Sequence, residues 1–118
     1  MCGIFGFISS SKSNYSQEIG VLARYAQQRG RDSSGVVVHR EESCDVSRSD
    51  SALLGLLRGI DLDDANVVMG HSRLATDGMY DNQPLVRDGI IPLHNGIVVN
   101  ADELWEDTEQ VRNLTIDT

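Results

Sequence analysis

An α+β layered sandwich is the fold class that this sequence predicts, and three observations predict it. A short apolar strand signal opens the chain, an amphipathic helix follows, and the later strand signals are short, β-branched and separated by turn-forming residues, with a second helix only near the end. Such an order lacks the regular alternation that a parallel sheet with crossover helices requires. With 118 residues, 40% of them hydrophobic and 24% charged, the chain can bury one modest core and so make one domain.

Each element has its own signal. Residues 4–8 are apolar and aromatic, as in a buried strand, and the serine-rich residues 9–13 form the exit loop. Asn14 then serves as an N-cap with Gln17 three residues on, and Ile19, Leu22, Ala23 and Ala26 share one helical face, with Gly30 as the stop. Residues 35–39 read as a second strand. Residues 40–50 are charged and aperiodic, a loop or irregular hairpin, and residues 51–57 form a short helix despite Gly55. Asp61, Asp63 and Asp64 make an acidic connector, read as a solvated face rather than a metal site. Residues 67–71 and 90–94 are strand-like, with a turn-rich stretch over 77–88 between them. Asn95-Gly96 ahead of Val98 and Val99 is the strongest hairpin signal, and Asn100 with Glu103 caps a last helix carrying Leu104, Trp105 and Val111.

Charge narrows the partners. A formal net charge of -8 without any Lys/Arg-rich run works against phosphate backbones and anionic lipid, so neither nucleic acid nor membrane is expected. The apolar N-terminal stretch is broken by Gly6 and has no basic leader, so no signal peptide is read there, and the expected compartment is the cytoplasm. Cys2 and Cys44 are accordingly expected to remain thiols. No zinc spacing and no phosphate-binding glycine loop occurs, and no metal or cofactor is predicted.

The chemistry centres on Cys2. Removal of Met1 would put a free α-amine, with a pKa of about 7.7 to 8.0, on the same residue as a thiol near 8.5. The amine can then relay a proton as the thiolate attacks, so one residue supplies nucleophile and base. Cysteine is small enough to permit that removal. Taken alone, Cys2 reads more readily as a small buried residue at a strand start. Asn95-Gly96 alone reads as a plain hairpin turn. His71 and His94, at strand ends, read as structural hydrogen-bonding residues, and no Cys/His dyad is predicted.

Four blocks in order change the weighing: MCGIFG at residues 1–6, RGRDSSG at 29–35, GHSRLATDG at 70–78, and NQP followed by LHNGIVVN within 82–100. Along nearly its whole length the chain resembles the class II glutamine amidotransferases. That resemblance implies a four-layer αββα sandwich of the N-terminal-nucleophile hydrolase type, of which residues 1–118 are the first part, since the family's domain is longer. It implies that Cys2 attacks the side-chain amide of glutamine, releases ammonia and leaves a γ-glutamyl thioester for water to cleave. Asn95, by its side-chain amide, and Gly96, by its backbone N–H, match the family's oxyanion donors, a role for which fixed dipoles are suited.

Arg73 matches the arginine that grips the glutamine α-carboxylate, Thr76 a neighbouring substrate contact, and Asp117 the aspartate that holds the α-amino group. Arg29 and Asp32 match an element that positions Cys2, with Gly30 and Gly35 expected to allow tight turns. The partners implied are L-glutamine and a synthase domain or subunit that takes the ammonia; homo-oligomerisation is left open. RGRDSSG and GHSRLATDG stand nearest the aminosugar-synthase branch, which implies amination of a sugar phosphate. Leu74 and Asp77 depart from that branch's tryptophan and histidine, and NQP is nearer the amidophosphoribosyltransferase and asparagine-synthetase wording. Those two acceptor chemistries, a different N-terminal-nucleophile hydrolase and a non-catalytic binding fragment are the alternatives.

Overall fold

The short apolar runs along the chain become one antiparallel sheet with two helices on one face. The computed structural model describes residues 1–74 and 82–108. Strand β1 spans Gly3–Ile8, helix α1 Ser16–Gln27, strand β2 Ser33–His39, strand β3 Cys44–Ser49, helix α2 Leu53–Leu57, strand β4 Val67–Arg73 and helix α3 Ala101–Glu106. The sheet order is β1-β4-β2-β3, so β4, late in sequence, enters the middle and pairs with both β1 and β2.

Register decides the two faces, because side chains two apart share a side. Gly70 lies opposite Phe5 in β1 and Val36 in β2, and Val68 opposite Phe7 and Val38. These residues point toward α1 and α2, where Ile19, Ala23, Ala26, Leu53 and Leu57 complete the core. Each large apolar side chain so buried contributes roughly 1.5–3 kcal/mol relative to exposure. Helix α1 comes closest to the sheet at Gly3, where a Cβ would sit 2.0 Å from the Ala26 carbonyl oxygen. Helix α2 has Ala52 at its N-cap and no side-chain cap of its own; Gln27 of α1 supplies one, its Oε1 accepting the Leu54 N–H at 2.8 Å.

The opposite face carries Ser33, Gly35, Val37, Met69, His71 and Arg73. The segment over residues 82–94 lies on part of it, with Gln83 and Pro84 buried. Ile4 and Ile8 of β1, on the same side, are 42% and 80% exposed. The described residues thus form an α+β arrangement of one helical layer on one sheet, which matches the first two layers of the expected sandwich.

Several sequence expectations need correction. Helix α1 starts at Ser16 with Tyr15 at its N-cap; Asn14 acts one residue earlier, its Oδ1 accepting the Ser16 N–H at 2.9 Å while its amide donates to Asp63. Gly30 lies beyond the end of α1 at Gln27, with Gln28 as the C-cap. Residues 40–50 contain the true strand β3, paired with β2 over Ser34–Ser49 through His39–Cys44. No strand runs over residues 90–94, and Asn95-Gly96 does not join a hairpin. The tight turn is instead at Asp88 and Gly89, with φ of 52° and 78°, closed by the Arg87–Ile90 pair. Helix α3 does start after Asn100, but without a side-chain cap bond. The acidic connector is organised by Arg40, whose guanidinium donates to the Asp61 and Asp63 carbonyl oxygens at 2.6 and 3.1 Å. Val111 lies outside the described residues. Among the described residues no helix is long and apolar enough to cross a membrane.

Candidate active site

Cys2 stands immediately ahead of β1, half-buried, and Arg73 ends β4, the strand beside it. The Gly3–Ser72 pair is the last of that ladder, so one more residue at each end brings Cys2 and Arg73 to the same corner. Arg73 is buried there despite its charge.

The segment after α1 closes over this corner. Arg29 donates from Nε to the Cys2 carbonyl oxygen at 3.3 Å, and its Nη2 lies 4.0 Å from the Met1 sulfur. Gly30 is pressed against the end of β4: a Cβ would fall 2.3 Å from the Arg73 carbonyl carbon. The Ser72 hydroxyl donates to the Gly30 carbonyl oxygen, and the Asp32 N–H donates to the Arg73 carbonyl oxygen at 2.9 Å. Close approach is therefore what Gly30 supplies, in place of the tight turn expected of it. Gly35 is likewise a contact surface, since a Cβ there would meet the Gln83 carbonyl oxygen at 1.9 Å.

Asn95 and Gly96 are exposed on a loop that follows the 82–94 segment. Two residues that sequence reasoning did not select hold the base of that loop. Gln83, 8% exposed, accepts the His94 N–H on its Oε1 at 2.5 Å. His71, 1% exposed, lies beneath, and neither ring nitrogen completes a hydrogen bond among the described residues. Burial pushes the His71 imidazole down to about 4; the nearby His94 main chain opposes the shift, and the charges of Arg73 and His94 add to it. The ring is therefore neutral near pH 7. Ile4 pairs with His71, so the ring under the loop sits two residues along from Cys2, roughly 7 Å. Gln83 and His71 each had one signal in the sequence, Gln83 its place in the NQP block and His71 its place in the GHSRLATDG block.

Cys2, Arg73, Arg29 and Asp32 are thus gathered at one end of β1 and β4, while Asn95 and Gly96 are exposed and follow His94, whose N–H is held by Gln83. Thr76 and Asp117 lie outside the described residues. Chemically, the corner offers a thiol and a buried guanidinium.

No family model matches this chain. The 7-cyano-7-deazaguanine synthase of Saccharolobus solfataricus is 30% identical over 100% of this chain and 28% of its own length. The glutamine–fructose-6-phosphate aminotransferase (isomerizing) of Thermococcus kodakarensis is 32% identical, covering 91% of this chain and 19% of that one. The solved glutamine phosphoribosylpyrophosphate amidotransferase of B. subtilis, complexed with ADP and GMP, superposes with a TM-score of 0.71 over 99% of this chain and 27% of its own, at 24% identity. The chain therefore spans less than a third of the length of each of these relatives.

Proposed function

We infer, from the premise that this chain is a relative of the class II glutamine amidotransferases with their N-terminal-nucleophile fold, that it carries the nucleophile end of a glutaminase domain. The observation that carries this reading is the corner where Cys2, directly behind Met1, meets buried Arg73 under the Arg29–Gly30 segment. A thiol and a carboxylate-binding cation at the ends of two paired strands suit a small zwitterionic amide.

In the proposed reaction the Cys2 sulfur attacks the side-chain amide carbon of L-glutamine while the freed α-amine takes the thiol proton. The C–N bond breaks, the nitrogen leaves as ammonia with that proton, and a γ-glutamyl thioester remains. Water then cleaves the thioester to glutamate and restores the thiol. The Asn95 amide and the Gly96 N–H are assigned to the oxyanion, where each such donor is worth roughly a hundredfold or more in kcat. Arg73 takes the α-carboxylate, Thr76 and Asp117 the remaining substrate contacts, and Arg29 and Asp32 the placement of Cys2. Ammonia passes to a synthase domain or subunit, in the cytoplasm.

For the acceptor we propose a sugar phosphate, supported by the aminotransferase relatives. A second reading has support of its own. Leu74 stands where the aminosugar branch has tryptophan, and a 7-cyano-7-deazaguanine synthase matches the whole chain; a synthase of that kind would then take the ammonia. The deciding experiment incubates the full-length protein with a diazoketone analogue of glutamine and locates the adduct and the N-terminus by mass spectrometry. Labelled Cys2 with Met1 absent is expected; an intact Met1, or no adduct on folded protein, rejects the glutaminase.

A further inference from the structure

We propose that His71 and Gln83 are positioning residues for the oxyanion loop, gripping the His94 main chain from two sides and so fixing where Asn95 and Gly96 point. The inference rests on the glutaminase reading above and extends it to two residues that do not touch substrate.

Gln83 provides the first grip. Its Oε1 accepts the His94 N–H at 2.5 Å, and its side chain is buried, so the bond is shielded from water. The grip exists because β2 is bare at Gly35: the Gln83 main chain lies where any side chain would be, 1.9 Å from an added Cβ. Pro84, also buried, is fixed in turn by Arg48 of β3, whose Nε donates to the Pro84 carbonyl oxygen at 2.6 Å. Gln83 is therefore mounted on two strands, and the loop inherits their rigidity.

His71 provides the second. It is the register partner of Gly35, which puts it next to the seat of Gln83, and it is 1% exposed with both ring nitrogens lacking a completed bond among the described residues. A buried imidazole without partners is costly, about 1–3 kcal/mol for each unmet polar group, so the arrangement is stable only if a partner lies within a small movement. The His94 main chain is the polar group that acts on the ring, opposing the effect of burial. A neutral ring has one N–H to give, and the His94 carbonyl is the main-chain acceptor of the residue whose N–H Gln83 holds. With that bond closed Gly96 is carried along, since a Cβ added there would meet the His94 ring Nε2 at 3.2 Å. The result is two bonded ends on the residue directly before Asn95, which sets the direction of the next amide and the next N–H.

The test measures steady-state glutamine hydrolysis and, separately, Cys2 alkylation by iodoacetamide, which needs no oxyanion donor. In the full-length protein His71→Phe keeps the ring shape and removes the N–H; kcat should fall roughly ten- to a hundredfold, with KM within about threefold and the alkylation rate unchanged. His71→Asn, which keeps a donor, should recover most of kcat. Gln83→Leu should repeat the loss and Gln83→Glu, which keeps an acceptor, should avoid it; this pair decides the matter if His71→Phe does not fold. An unchanged kcat, a change confined to KM, or slowed alkylation in step with kcat would overturn the positioning role. A parent protein without glutaminase activity would instead reject the function on which it rests.

Discussion

The Ser72 hydroxyl is hydrogen-bonded to the Gly30 carbonyl oxygen in the protein interior, tying the segment after α1 to the strand that ends in Arg73. Removing the hydroxyl leaves a buried carbonyl with no replacement, so Ser72→Ala should destabilise the fold by about 1–3 kcal/mol. Urea unfolding measures this, and an unshifted midpoint would show that water reaches Gly30.

Gly35→Ala should act at a distance from its own strand. The new methyl group takes the space of the Gln83 carbonyl, and because backbone is the obstacle, relief comes by lifting residues 82–94 from the sheet. A loss of about 1–3 kcal/mol is expected. Hydrogen exchange at the His94 amide should speed up while amides of β4 stay protected; uniform acceleration across the sheet would instead indicate global destabilisation.

Arg73→Ala should raise the glutamine KM by roughly tenfold or more and leave thioester breakdown nearly unaltered, because the lost contact is to the non-reacting end of the substrate. Arg73→Lys should restore only part, since a point charge lacks the bidentate fork. Superimposable saturation curves for mutant and parent would remove Arg73 from the substrate site.

His71 gives a signed pH effect. Its folded pKa, about 4, is below the ordinary 6.5, so between those values the unfolded chain binds a proton that the folded one refuses. Its contribution is therefore complete above about pH 6.5 and is lost as the pH falls toward 4, with a limiting slope of about 1.4 kcal/mol per unit. The difference in unfolding free energy between the parent and His71→Phe should vary over that window and level off above it; a difference independent of pH would show that the ring is protonated when folded.

Much of this was legible in the sequence where burial is local and periodic. Phe5, Val36, Val38 and Val68 announced their strands as members of short apolar, β-branched runs, and Ile19, Ala23 and Ala26 their helix by spacing. Strand β3 was not, because Cys44–Ser49 is an exposed and polar edge strand whose existence depends on pairing with β2. The hairpin expected at Asn95-Gly96 failed for a similar reason. Gln83, eleven residues earlier, already holds the His94 N–H, and Asp88-Gly89 takes the tight turn. Cys2 and Arg73 could be chosen from their motifs, but the Gly30 and Gly35 contacts that seat their surroundings are visible only once strands are paired.

The grip of Arg29 on Cys2 also bears on the order of maturation. Its bond goes to the Cys2 carbonyl oxygen, an atom that cleavage of the first peptide leaves in place, while Met1 itself is 77% exposed with its sulfur 4.0 Å from Arg29 Nη2. In the proposed glutaminase, folding and trimming would thus be separable: the corner assembles around the uncut chain, and removal of Met1 would unmask the amine while leaving the Arg29 bond in place.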